Sequence, residues 1–185
     1  MGSPSGFSQV TSLIREDYAT NNRRWSSPGF RALFVYRIDS WRQNLPNRIL
    51  RIPLTLMCRV AARWIRNHHG IELPPTATIG RRLRLIHWGG VVVHKHATLG
   101  DDCILLHGVT LGATGEVDRA KAPRLGNGVQ VGTGAVILGA VVVGDRAKIG
   151  PNAVVTMDVP ADGTAFADPA RVIYAPTVPN LQAPR

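Results

Sequence analysis

In the second half of the chain an aliphatic residue returns at every sixth position: Leu125, Val131, Ile137, Val143, Ile149 and Val155, with Gly126, Gly132, Gly144 and Gly150 directly after four of them. A strand alternates with period two and a helix with 3.6, so neither accounts for a period of six held from Leu125 to Val155. The period describes a parallel β-helix: each flat face takes about one hexad, the aliphatic side chain points into a narrow core, and a small residue beside it turns the corner. Three hexads, about eighteen residues, close one triangular coil. The same beat runs through Val93, Leu99, Leu105 and Leu111 and, after a slip of two residues, through Ile79, Leu85 and Val91. Roughly four to five coils result, enough for neighbours to bury one another. Between Leu111 and Leu125 the beat breaks, and Gly112 to Arg124 is polar and aperiodic, which predicts a loop over 112–124. A Val/Gly-rich sandwich fits poorly, because sandwich strands vary in length and keep no six-residue register.

The first seventy residues follow another rhythm. Ser8 to Trp25 reads as a helix, and Phe30, Leu33, Phe34, Arg37, Ile38 and Trp41 recur at helical spacing after the Pro28-Gly29 break. A third helix starts at Pro46, with Pro53 expected to kink or restart it. In it Arg48, Arg51, Arg59, Arg63 and Arg66 interleave with apolar residues from Ile49 to Ile65. The pattern divides the chain into a helical segment over 1–70, a β-helix over 71–160 and a Pro/Ala-rich cap and tail over 161–185, loose from about Thr177.

Charge sharpens that division. Of the +10 net charge, residues 1–70 carry eleven arginines against Glu16, Asp17 and Asp39 (11 − 3 = +8), and the remainder carries eleven bases against nine acids, +2. An Arg- and Trp-bearing amphipathic surface suits packing on the solenoid or a partner chain, or contact with an anionic membrane surface. Nucleic acid is disfavoured, because no helix-turn-helix, aromatic platform or zinc module is present. Cys58 and Cys103 lie far apart with no metal-ligand spacing, so neither a disulfide framework nor a zinc site is indicated. The opening MGSPSGFSQ lacks the features of a signal peptide, and no apolar run reaches the ~18 residues of a membrane span. The expected location is the cytoplasm, with the inner face of the membrane open to the basic helices.

Candidate chemistry gathers on histidine. His87 lies two after the core residue Leu85 and His107 two after Leu105, which predicts two imidazoles stacked on one corner in successive coils, about 4.8 Å apart. The pair reads either as a structural ladder or as a base with a binding group. His94 and His96 bracket Lys95, whose charge opposes a metal ion, and no metal site is expected.

The segments IELPPTATIGRRLRLIHWGGVVVHKHATLGDDCILLHGVTLGATG and KAPRLGNGVQVGTGAVILGAVVVGDRAKIGPNAVV, ending in DPARVI, resemble the serine acetyltransferase branch of the hexapeptide acyltransferases over about residues 70–174. With its short helical region the chain looks closest to the branch that O-acetylates exopolysaccharide sugars. The resemblance implies a left-handed β-helix, an exception to the usual right-handed crossover, forming homotrimers with acetyl-CoA bound between subunits. It places the base on His87 and an orienting carboxylate on Glu72. Its CoA contacts fall on Ala113, Thr114, Gly132, Thr133, Lys148 and Pro151. An imidazole in that position takes the proton of an acceptor hydroxyl as the oxygen attacks the thioester, then returns it to the departing sulfur. A carboxylate on the other ring nitrogen fixes the tautomer. Lys148 is suited to the CoA phosphates, though it reads equally as a solvated side chain on a coil face.

Departures from the family pattern bear on the acceptor. The aspartate before the base is Ile86, the loop's Arg-His pair is Lys121 and Ala122, and a glutamate beyond the glycine pair is Lys95. These losses predict a dismantled serine clamp and an acceptor hydroxyl on a sugar of a polysaccharide or its precursor, with Trp88, His107, Lys95 and Lys121 lining its site. The alternatives are a serine O-acetyltransferase with an altered acceptor pocket and a non-catalytic trimeric scaffold.

Overall fold

A computed structural model describes residues 6–114 and 121–172. The middle of the expected loop and the tail beyond 172 lie outside the described residues. Three helices, α1 (Phe7–Thr20), α2 (Pro28–Arg42) and α3 (Arg48–His69), precede a left-handed parallel β-helix of about four turns.

The strands fall into three faces. Sheet A stacks β1 (Ile71–Glu72), β4 (Val91–Val93), β7 (Thr110–Gly112), β10 (Val136–Leu138) and β13 (Val154–Val155). Sheet B stacks β2 (Thr78–Ile79), β5 (Thr98–Leu99), β8 (Arg124–Leu125) and β11 (Val142–Val143). Sheet C stacks β3 (Arg84–Ile86), β6 (Ile104–Leu106), β9 (Gln130–Val131), β12 (Lys148–Ile149) and β14 (Thr164–Ala165). Every pairing between them is parallel, and Ile137 registers against Val155, eighteen residues on.

All thirteen aliphatic residues of the hexad beat point inward, from Ile79 to Val155. A second inward position, two residues before the beat, is small or medium at Ala77, Ala97, Cys103, Val109, Val129, Ala135, Val141, Ala147 and Ala153 and large at Leu83, all of them buried. A narrow triangle packs most easily when the neighbour of each large side chain is modest. Burial pushes the Cys103 thiol up to about 11, and Cys58, on the packed face of α3, likewise to about 11, so both are core thiols rather than nucleophiles.

Glycine follows the beat where coils come closest. A Cβ on Gly100 would stand 2.6 Å from the carbonyl of Gly126 in the coil above, a backbone contact that cannot yield. Gly100→Ala is expected to cost about 3 kcal/mol, measured as a fall in the thermal unfolding midpoint with the helical signal retained.

The helical segment closes the first coil with side chains. On the unpaired edge of β3, Asn21 donates to the Leu83 carbonyl at 3.0 Å and accepts from the Leu85 N–H at 3.2 Å. On the edge of β2, the Tyr36 hydroxyl donates to Ala77 at 2.7 Å and accepts from Ile79 N–H at 3.1 Å. Arg37 donates to the carbonyls of Ile79 (2.8 Å) and Gly80 (2.6 Å) and holds Asp17 through Nε at 2.8 Å. These groups satisfy the backbone that an edge strand leaves open.

Two helix expectations change. Helix α1 ends at Thr20, short of Trp25, because Asn21 turns to serve the solenoid edge. Helix α3 runs unbroken through Pro53, which lies near its start and forfeits only the bond to the Ile49 carbonyl. Asn47 caps it by accepting from Ile49 N–H at 2.9 Å, and Gly70 ends it in the left-handed conformation.

Candidate functional site

The corner leading from sheet C to sheet A carries His87. Ile86 pairs with Leu106, twenty residues on, but Val92 pairs with Thr110, eighteen on. The two-residue slip is therefore an enlarged corner over 87–91, facing a shorter one over 107–109. His87 begins that corner at φ 52°. Left-handed φ recurs at the corners of the solenoid, at Arg82, Asp102, Arg146, Asn152 and Asp162 as well, so at His87 it belongs to the turn geometry of the coil. The ring is exposed.

His107 begins the corner above and is also exposed. The two rings stand edge to face, 6.2 Å between centroids and 84° between planes. They do not form the parallel ladder at strand spacing that the sequence predicts, because the corners that follow them differ in length.

Glu72 lies on β1 beside Val92, on the sheet that the chain enters directly from the His87 corner. It lines a cleft of about 420 Å³ with Tyr36, Arg42, Arg59, Arg63 and Arg66. Among the described residues it makes no hydrogen bond to His87. Trp88 is 53% exposed and meets the His69 ring edge to face at 5.8 Å, and His69 meets Trp64 at 5.1 Å. Burial pushes the His69 imidazole below its ordinary value, and its Nε2 is shielded with no partner among the described residues. Sequence reasoning missed His69 as the packing partner of the site; its place directly before the helix-ending Gly70 was the available signal.

The corners above repeat a close-packed ladder. Gly108 N–H donates to Gly89 at 2.8 Å, Gly134 N–H to His107 at 3.0 Å, and Asn152 N–H to Thr133 at 2.8 Å. In the enlarged corner, the N–H groups of Gly89 and Gly90 have no acceptor among the described residues. Gly132 and Thr133 stand above His107, and Pro151 tops the stack. A Cβ on Gly132 would lie 2.8 Å from the Pro151 nitrogen. Lys148 is exposed on β12 of sheet C, which leads into the Pro151 corner.

The remaining expected residues sit at the other end of sheet A. Lys95 lies on the A-to-B corner of the second coil, its carbonyl accepting from Thr76 Oγ1 at 3.0 Å. Ala113 and Thr114 follow β7, and the exposed Lys121 precedes β8. Within one chain, sheet A separates His87, His107, Gly132, Thr133 and Pro151 from Ala113, Thr114, Lys95 and Lys121. His94 Nδ1 accepts from the His96 N–H at 3.3 Å, and among the described residues no cluster of metal-binding side chains forms.

Residues 122–156 match the family described as bacterial transferase hexapeptide, six repeats. Over 165 residues the chain is 40% identical to a serine acetyltransferase of Helicobacter pylori, covering 87% of this chain and 92% of the relative. It superposes on soybean serine acetyltransferase complexed with serine at a TM-score of 0.73 and 32% identity, covering 89% of this chain and 69% of that one. A serine acetyltransferase in complex with CoA gives a TM-score of 0.73 at 29% identity, covering 90% and 71%.

These relatives correct the acceptor. The sugar or polysaccharide hydroxyl is the expectation drawn from the loss of a serine clamp at Ile86, Lys121 and Ala122, and the exopolysaccharide branch the one drawn from the short helical region; the relatives named above are serine acetyltransferases, one of them matched over 92% of its own length. Ala122 is buried, so that position belongs to the solenoid wall, while Lys121 remains an exposed cation. A lost bidentate grip does not remove the single positive charge that a carboxylate needs. The structure gives Trp88 a packing partner in His69.

Proposed function

This chain belongs to the serine acetyltransferase family of hexapeptide transferases, and from that premise we propose that it moves the acetyl group of acetyl-CoA onto the side-chain hydroxyl of serine. The observation that carries the reading is His87: a solvent-facing imidazole on the enlarged corner, within a chain 40% identical to a serine acetyltransferase across 92% of that relative.

In the proposed reaction His87 accepts the serine hydroxyl proton as the oxygen attacks the thioester carbonyl. The tetrahedral intermediate collapses with loss of the C–S bond, and the imidazolium returns its proton to the CoA thiolate. Glu72, which lines the neighbouring arginine cleft and makes no hydrogen bond to His87 here, orients the ring and stabilises its cationic form only once its carboxylate turns toward the corner. The unspent N–H groups of Gly89 and Gly90 are the candidate donors to the oxyanion. Lys148 meets the CoA phosphates, Gly132, Thr133 and Pro151 of one subunit form one wall of the cofactor groove, and Ala113 and Thr114 of its neighbour form the other.

The division of these residues between the two ends of sheet A supports a homotrimer. A site needing both sets draws the His87 corner from one subunit and the loop corner from the next, and three such clefts close a ring. Lys121 then approaches the serine carboxylate across the cleft, with His107 and Lys95 at its margins.

Incubation with acetyl-CoA and L-serine is expected to release free CoA thiol and O-acetylserine; thiol release no faster than acetyl-CoA hydrolysis would defeat the reading. Lys121→Ala is expected to raise KM for serine about tenfold or more with kcat little changed, the result of losing a charged hydrogen bond common to ground and transition states.

A further inference from the structure

Helix α3 wears its apolar residues on the wrong side for a helix facing water. Its packed face holds Cys58 and Ile65, while Ile49, Ile52, Leu56, Val60 and Trp64, recurring every three or four residues, form a crest pointing away from the molecule. Ile49 is 84% exposed and Val60 62%. On one flank of the crest an apolar groove of about 740 Å³ opens toward α2, walled by Trp25, Phe34, Met57 and Trp64. On the other flank Arg59, Arg63 and Arg66 overhang the 420 Å³ cleft. The helix contains no acidic residue, and among the described residues none of Arg48, Arg51, Arg59, Arg63 and Arg66 has a carboxylate partner. The acids of the helical segment are already committed: Asp17 to Arg37, Asp39 to Arg42, and Glu16 to Arg81 and Arg82.

We propose that α3 docks this chain on an anionic phospholipid surface, its apolar crest entering the acyl boundary and its arginine row meeting lipid phosphates. A helix of 22 residues, about 33 Å long, lies flat in that boundary rather than crossing it. Among the described residues no helix is long and apolar enough to cross a membrane. Arginine stems cover apolar surface while the guanidinium forks grip phosphate, and tryptophan favours the same depth. The charge selects the occupant: the arginines of α3 have no carboxylate partner among the described residues, and an anionic bilayer supplies that counter-charge.

The full chain is mixed with vesicles of phosphatidylcholine alone or with added phosphatidylglycerol, sedimented, and the bound fraction measured across a salt series. Binding is expected only with phosphatidylglycerol and is expected to weaken as salt rises. Arg59→Gln with Arg63→Gln and Arg66→Gln is expected to weaken it by about a hundredfold, near fivefold for each arginine. Leu56→Glu with Val60→Glu is expected to abolish it. Both variants change exposed residues, and circular dichroism checks that each retains its fold. Equal binding to neutral vesicles, binding unchanged in either folded variant, or no sedimentation with anionic vesicles at low salt overturns the proposal. The last result, with a mass in analytical ultracentrifugation that drops in Leu56→Glu/Val60→Glu, assigns the crest to contact between copies instead.

Discussion

His87→Asn is expected to lower acetyl transfer to L-serine by about a thousandfold while leaving the unfolding midpoint close to that of the parent protein. The loss follows from removing the only group proposed to carry the hydroxyl proton, a contribution worth about 10² to 10⁴ in rate. Asparagine is the informative replacement because the position sits at φ 52°, where asparagine is among the few residues at ease and alanine adds strain. Since the ring is exposed and its contact is an edge-to-face meeting with His107 at 6.2 Å, little packing is lost with it. Steady-state release of CoA thiol measures the first outcome and scanning calorimetry the second. A variant as active as the parent transfers the proton elsewhere; one that is inactive but unfolded says nothing of chemistry, which is why both readings are taken.

The second large effect lies far from that corner. Arg37→Ala is expected to cost about 3–5 kcal/mol of stability, measured by denaturant unfolding. Arg37 and Asp17 are both almost wholly buried and bonded through Nε at 2.8 Å, so alanine leaves a buried carboxylate without its counter-charge. The same change orphans the carbonyls of Ile79 and Gly80. Burial pushes the Asp17 carboxyl above its ordinary value, with Arg37 opposing that rise. Removing Arg37 removes the opposition, and the folded variant prefers a protonated Asp17. A folded-state value raised above the unfolded one favours folding at low pH and loses that advantage as pH climbs through it. The variant's deficit is therefore expected to be smaller near pH 5 than near pH 8. Pairing it with Asp17→Leu should recover part of the loss, since two apolar residues leave no buried charge.

The solenoid was readable because its physics is periodic. A core one side chain wide forces the same choice on every face, and Leu125 to Val155 repeat that choice without interruption. The partner layer of Ala97, Cys103 and Ala135 was less visible, because small residues serve turns and surfaces as well as narrow interiors. The position of the enlarged corner was also concealed. A slip of two residues can be seen in the spacing, but only the pairings of Ile86 and Val92 place it at His87. The Asn21, Tyr36 and Arg37 contacts joined residues more than forty positions apart, and no local pattern announces such partners. The acceptor was misread for a different reason. Substitutions at Ile86, Lys121 and Ala122 record which contacts are missing, whereas an acceptor is defined by those that remain.

A chain built of near-identical hexads has a counting problem. Shifted by eighteen residues, nearly every aliphatic side chain would still find an aliphatic slot, so packing alone discriminates weakly between the native frame and its neighbours. Asn21, Tyr36 and Arg37 break that degeneracy. Each grips the backbone of a particular residue near Ala77 to Leu85, and in a misthreaded frame those amides and carbonyls would be elsewhere. The helical segment is in this sense the origin of the ruler: it determines where the first turn begins, and every later turn inherits its alignment from there.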